Sequence, residues 1–143
     1  MKKLPIKNAV IERLFDYFDS FDCEKGGAIV SKDGVIADFI PLKNVLEKPK
    51  SEYLFSFYEL NELITPYFEK GYLLAGFIHS HNGGYLSLSK GDKDFFLDFM
   101  KENSNYKSLL TPIISSFNGK KKIKWWRLFF NGDLEEIRGS KLL

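Results

Sequence analysis

The chain has 143 residues with 21 basic and 19 acidic side chains, a formal net charge of +2, and that near balance excludes the strong electrostatic footprint of a dedicated nucleic-acid binder. Hydrophobic residues make up 44% and aromatics 16%, fourteen of them Phe, which excludes disorder and gives a single domain over 1–143 ample apolar surface for a core. One cysteine excludes an internal disulfide, no apolar run reaches the length of a membrane span, and no signal-peptide pattern follows Lys2 and Lys3, so the expected location is cytoplasmic.

Residues 6 to 19 set Val10, Leu14, Tyr17 and Phe18 at helical spacing, with Pro5 and Asn8 as start signals, and predict an N-terminal helix. Gly26 to Val30 and Val35 to Ile40, joined through Ser31-Lys32-Asp33-Gly34, predict a hairpin. Glu24 stands just ahead of its first strand, where by itself it reads as a solvated glutamate. Neighbouring Cys23 invites a nucleophile reading, although an inert cysteine is the commoner case. Lys43 to Lys50, with Pro49, reads as a loop, and Tyr53 to Phe57 alternates as a strand. Ser56 and Glu59 form a capping-box pattern ahead of Leu60, Leu63, Ile64, Tyr67 and Phe68, an amphipathic helix that Pro66 should kink and Gly71 should stop.

The stretch from Gly76 to Asp92 holds both histidines of the chain, His79 and His81. The apolar run Tyr72 to Ile78 before them reads as a buried strand, and residues two apart on a strand project from one face, so both imidazoles can converge at its end. A loop rich in turn formers follows, then Ser89, Asp92 and a helix bearing Phe95, Phe96, Phe99 and Met100, expected to run to about Glu102. If the loop folds back, two imidazoles and the Asp92 carboxylate leave one tetrahedral position open, as at a catalytic zinc. Ser89 and Asp92 equally fit a serine cap with an acidic residue three on. The two roles are compatible.

Asn103 to Lys107 reads as a loop. Three apolar segments follow, Leu109 to Phe117, Ile123 to Phe130 and Leu134 to Ile137, punctuated by Asn118-Gly119 and Asn131-Gly132, and they predict C-terminal hairpins over 109–137 with a frayed tail from Gly139 to Leu143. Lys120, Lys121, Lys122, Lys124 and Arg127, beside Trp125 and Trp126, could form a nucleic-acid patch with stacking platforms. The reading preferred is a hairpin tip and edge strand protected by lysines, with the tryptophans on opposite faces.

His79-Ser80-His81, seven residues, Ser89, two residues and Asp92 resembles the signature of the JAB/MPN (JAMM) zinc metalloproteases. Glu24-Lys25-Gly26-Gly27 matches the family's upstream Glu-x-x-Gly pattern. Ile40-Pro41-Leu42-Lys43-Asn44 and Tyr53 resemble the middle of its short bacterial members. Asn82 and Leu88 stand where the family usually has proline.

The resemblance implies an α/β fold in which a mixed β-sheet is flanked by helices, zinc (Zn2+) held by His79, His81 and Asp92, Glu24 as catalytic base, and Ser89 steadying the oxyanion. It implies a deubiquitinase-like isopeptidase or peptidase acting on a ubiquitin-like protein or its conjugates, in the company of ubiquitin-activating or conjugating enzyme homologues and including settings such as antiphage defence. Processing of a sulfur carrier's C-terminus and a catalytically inactive MPN module for protein interaction are the alternatives. Neither a nucleic acid nor a membrane is an expected partner.

Overall fold

The computed structural model describes residues 2–46 and 52–142, so part of the loop expected over Lys43 to Lys50 lies outside the described residues. The elements are β1 (Lys3–Lys7), α1 (Asn8–Tyr17), β2 (Gly26–Lys32), β3 (Val35–Leu42), α2 (Phe57–Glu69), β4 (Leu73–Ser80), α3 (Lys90–Glu102), β5 (Ser108–Leu110), β6 (Ile113–Phe117), β7 (Lys120–Phe129) and β8 (Leu134–Leu142). They form one mixed sheet with three helices. Parallel and antiparallel ladders follow each other from β2 through β3, β1, β8, β7, β5 and β4, and β4 pairs again with β2, so the circuit closes. Closure leaves few unpaired edges. No helix among the described residues is long and apolar enough to cross a membrane.

Alternation along the strands divides the core in two. Ala28, Val30, Phe77 and Leu109 face the layer of α2 and α3, where they meet Leu60, Ile64, Phe96, Phe99 and Met100. Ile29, Ile78, Leu110 and Trp125 face the other way, with Leu4, Ile6, Val10 and Leu14. His79 lies two residues beyond Phe77 and therefore shares the α3 face. Two hairpins turn through residues with positive φ, Asp33-Gly34 at 54° and 80° and Asn118-Gly119 at 52° and 76°, the backbone that matches strand twist.

Four expectations are corrected. The N-terminal helix over 6–19 is shorter, because Leu4 and Ile6 bury one face of β1 while Pro5 pairs with Ser140. The tail from Gly139 is not frayed: β8 runs parallel to β1 from Lys3↔Arg138 to Lys7↔Leu142. Each of these strands is stabilised by a partner more than a hundred residues away, which no local pattern reports. Tyr53 to Phe57 is not a strand; Tyr53 and Phe55 are buried alternately, but the segment forms no ladder and Val45 N–H donates to Leu54 O instead. The expected lysine-protected edge is confined to the first half of β7: β6 and β5 pair along one side of the strand, while on the other β8 pairs only with Trp125 to Leu128. The segment Leu109 to Phe117 also divides into two strands at Thr111-Pro112, where β4 changes partner from β5 to β6.

Gly76 faces Leu110 across the β4–β5 ladder so closely that an added β-carbon would overlap the Leu110 carbonyl and amide. Gly76→Ala is therefore expected to lower stability by about 2–4 kcal/mol in denaturant titrations, since backbone atoms must part to admit it. Gly91→Ala, in the first turn of α3 with only Ser89 Oγ at 3.9 Å, serves as the control and should be neutral or mildly stabilising.

Candidate metal centre

The site is built where β4 ends. His79 pairs with Gly26 of β2 and with Ile113 of β6, so its backbone is held on both sides. His81, just past the strand, is held by its N–H to Ile114 O at 3.0 Å and by Ser115, whose hydroxyl donates to His81 O at 2.6 Å. The intervening Ser80 points to the other face. There it accepts from Lys25 N–H at 2.9 Å, while Ser80 N–H donates to Lys25 O at 2.8 Å. Those two bonds fix the residue next to Glu24. Asn44 completes the hold by donating to Glu24 O at 3.0 Å and Glu52 O at 2.9 Å.

Both imidazoles are buried, 1% and 6% exposed, and each is stacked by a tyrosine: Tyr53 on His79 and Tyr85 on His81. Their Nε2 atoms stand 3.0 Å apart, and Asp92 Oδ2 is 3.1 Å from each. That same oxygen accepts Ser89 N–H at 3.0 Å, while Ser89 Oγ accepts Asp92 N–H at 3.1 Å. The cap and the convergence expected from the sequence thus coexist in one carboxylate. Burial alone would raise the Asp92 carboxyl, but His79, His81 and the Ser89 amide outweigh it and hold the group well below the usual carboxylate range.

Glu24 completes the cluster. It is 7% exposed, its Oε1 has no hydrogen-bond partner among the described residues, and a carboxylate oxygen lies within 4.8 Å of a nitrogen of each histidine. Burial pushes its carboxyl up to about 7, against the pull of His81 and with the help of Asp92 and Glu52. Glu24, His79 and His81 form a buried group able to hold a metal ion. Asp92 lies closer to the imidazoles than Glu24 need be.

The donor set fits zinc on two grounds. Tetrahedral zinc with bonds of about 2.0–2.1 Å sets neighbouring ligand atoms roughly 3.3–3.4 Å apart, close to the spacings found, and imidazole with carboxylate suits it chemically. Three lone-pair atoms this close also repel unless a proton or cation lies among them, and protons cannot serve all three contacts at once. A single central cation does. Beside the cluster, Glu52, Tyr53, Phe55, His79, Ser89, Phe95 and Phe96 line a groove of about 480 Å³.

All five sequence-predicted site residues therefore meet at one place, while half-buried Cys23 forms no part of the metal-binding group. Reading the chain missed the roles of Ser80, Ser115 and Trp126, whose indole N–H donates to Leu86 O at 2.8 Å and fastens the loop after His81. A buried serine in each apolar strand was the available signal.

No protein-family model matches the sequence, and no curated protein matches it. Solved structures do. A protein from Desulfitobacterium hafniense, determined in solution, superposes with a TM-score of 0.76 at 19% identity over 96% of this chain and 92% of that one. A JAB1/MPN domain protein from Archaeoglobus fulgidus superposes with a TM-score of 0.56 at 14% identity over 98% of this chain and 100% of the other. The chain thus has a JAB1/MPN-like fold over its whole length.

The Glu24 shift has a sign that can be measured. A carboxyl raised in the folded state favours folding below its ordinary value of 4.5 and loses that contribution as the pH climbs to about 7. In chelator-stripped protein, the stability of the wild type relative to Glu24→Gln should fall over this window and level off above it. A difference that stays flat from acid to neutral pH would contradict the burial of Glu24.

Proposed function

We propose that this chain is a zinc-dependent isopeptidase or peptidase that removes or processes ubiquitin-like proteins. The observation that carries the reading is the convergence of His79 Nε2, His81 Nε2 and Asp92 Oδ2 at 3.0–3.1 Å with the raised, unpartnered carboxyl of Glu24 facing them. His79, His81 and Asp92 would hold the zinc, which when bound supplies a Lewis acid and lowers the pKa of a water to about 7.

Glu24 holds the proton. A carboxyl near neutrality takes a proton from the attacking water and returns it to the departing amine with little cost either way. Its backbone is fixed through Lys25 and Asn44, which anchors the side chain's point of attachment beside the cluster. Ser89 can serve twice, since its Oγ accepts the capping N–H through a lone pair and keeps its own proton to donate to a substrate carbonyl oxygen. The groove past Tyr53, Phe55 and Phe95 has apolar walls against which an extended C-terminal tail can lie. The JAB1/MPN-like fold supports the same class of reaction. Ubiquitin-activating or conjugating homologues would be the natural company of such an enzyme.

Elemental analysis and cleavage assays test this together. One zinc per wild-type chain is expected, lost or sharply weakened in His81→Ala and Asp92→Ala, while Glu24→Gln retains zinc and loses about 10²–10⁴-fold in cleavage of a ubiquitin-like conjugate. Zinc-loaded Glu24→Gln with full activity would remove the assigned base. A wild type that takes up no metal when supplied would leave an interaction module in place of the enzyme.

A further inference from the structure

The basic cluster of the sequence is split by the strand that carries it. Lys121 Nζ donates to Phe15 O at 2.6 Å, and Lys124 pairs with Glu136 at 3.4 Å while lying 4.7 Å over the Trp126 ring. Lys120 and Lys122 project together from one face of β7. Both are exposed, and neither forms an ion pair among the described residues. With Gly83, Gly84, Leu86, Ser115 and Phe117 they line a groove of about 550 Å³ whose walls include no acidic residue.

This groove shares its structure with the metal centre. Ser115 donates to His81 O and accepts Gly84 N–H at 2.9 Å, and Leu86 is held by Trp126, so the loop after His81 walls both places. Phe117, 64% exposed, offers an apolar anchor beside the two ammonium groups. From this charge complementarity we infer that the groove between the loop 82–88 and the β6–β7 hairpin docks an acidic polypeptide segment carrying an apolar side chain. Only the further step, that this segment belongs to the substrate, rests on the peptidase reading.

A nucleic acid fits less well. Trp125 is 5% exposed within the core, and Trp126 spends its N–H on Leu86 O with Lys124 over its ring, so neither tryptophan is a free stacking platform. Two ammonium groups also neutralise few phosphates.

Fluorescence polarisation in the Glu24→Gln background, where hydrolysis does not consume the probe, tests the inference with labelled Asp-Glu-Leu-Glu-Asp against Asn-Gln-Leu-Gln-Asn. The acidic peptide should bind at least about ten-fold tighter, with an advantage that shrinks between about 50 and 200 mM salt. Lys120→Gln/Lys122→Gln should abolish the advantage, whereas Lys70→Gln/Lys101→Gln, exposed just past α2 and on α3, should keep it. Equal binding of the two peptides would overturn the inference, as would equal loss in both double variants or tighter binding of a labelled oligothymidylate. Acidic-peptide docking without any metal-dependent cleavage by the wild type would sink the peptidase reading and leave the docking surface standing.

Discussion

Three lone-pair atoms from two imidazoles and one carboxylate meet within about 3 Å of one another, and such an arrangement is unfavourable unless a cation or proton lies among them. A fold can hold it only with a stiff frame. Here β2 and β6 grip His79 from either side, Ser115 grips His81, and the capping box of α3 grips Asp92. Each of the three side chains hangs from backbone that already has its hydrogen bonds.

The closed circuit of strands gives that frame its stiffness. Because β4 pairs with β2 and then in turn with β5 and β6, the strand end that carries the histidines lies inside the sheet and not at a fraying edge. Ser80 uses the face that the histidines leave free to tie Lys25, and thereby Glu24, to the same strand. One short segment thus serves the site with both of its faces.

The centre was legible in the sequence because its parts are local and rare: two histidines one residue apart after an apolar strand, then a capped helix bearing the acid. Short apolar runs placed β2, β3 and β4, and apolar spacing near 3.6 residues behind a serine cap placed α2 and α3. What escaped depended on distant partners. Ile6 and Lys7 look like the start of a helix until β8 pairs beside them, and the residues after Gly139 look frayed for the same reason. Tyr53 and Phe55 alternate as a strand would, yet Asn44 and Val45 take the backbone contacts that a ladder would need. The groove at Lys120 and Lys122 was hidden too, since only the pairing of β7 separates those two lysines from their neighbours.

Asp92 Oδ2 belongs to two structures at once, the capping box of α3 and the cluster it forms with the two imidazoles. The carboxylate is already oriented before any ion arrives, so little ordering entropy is lost on binding. Release is affected in the opposite sense. To swing Asp92 out of the cluster, its bond from the Ser89 N–H must break, which would make the residence time of a bound ion a property of a helix end as well as of its ligands.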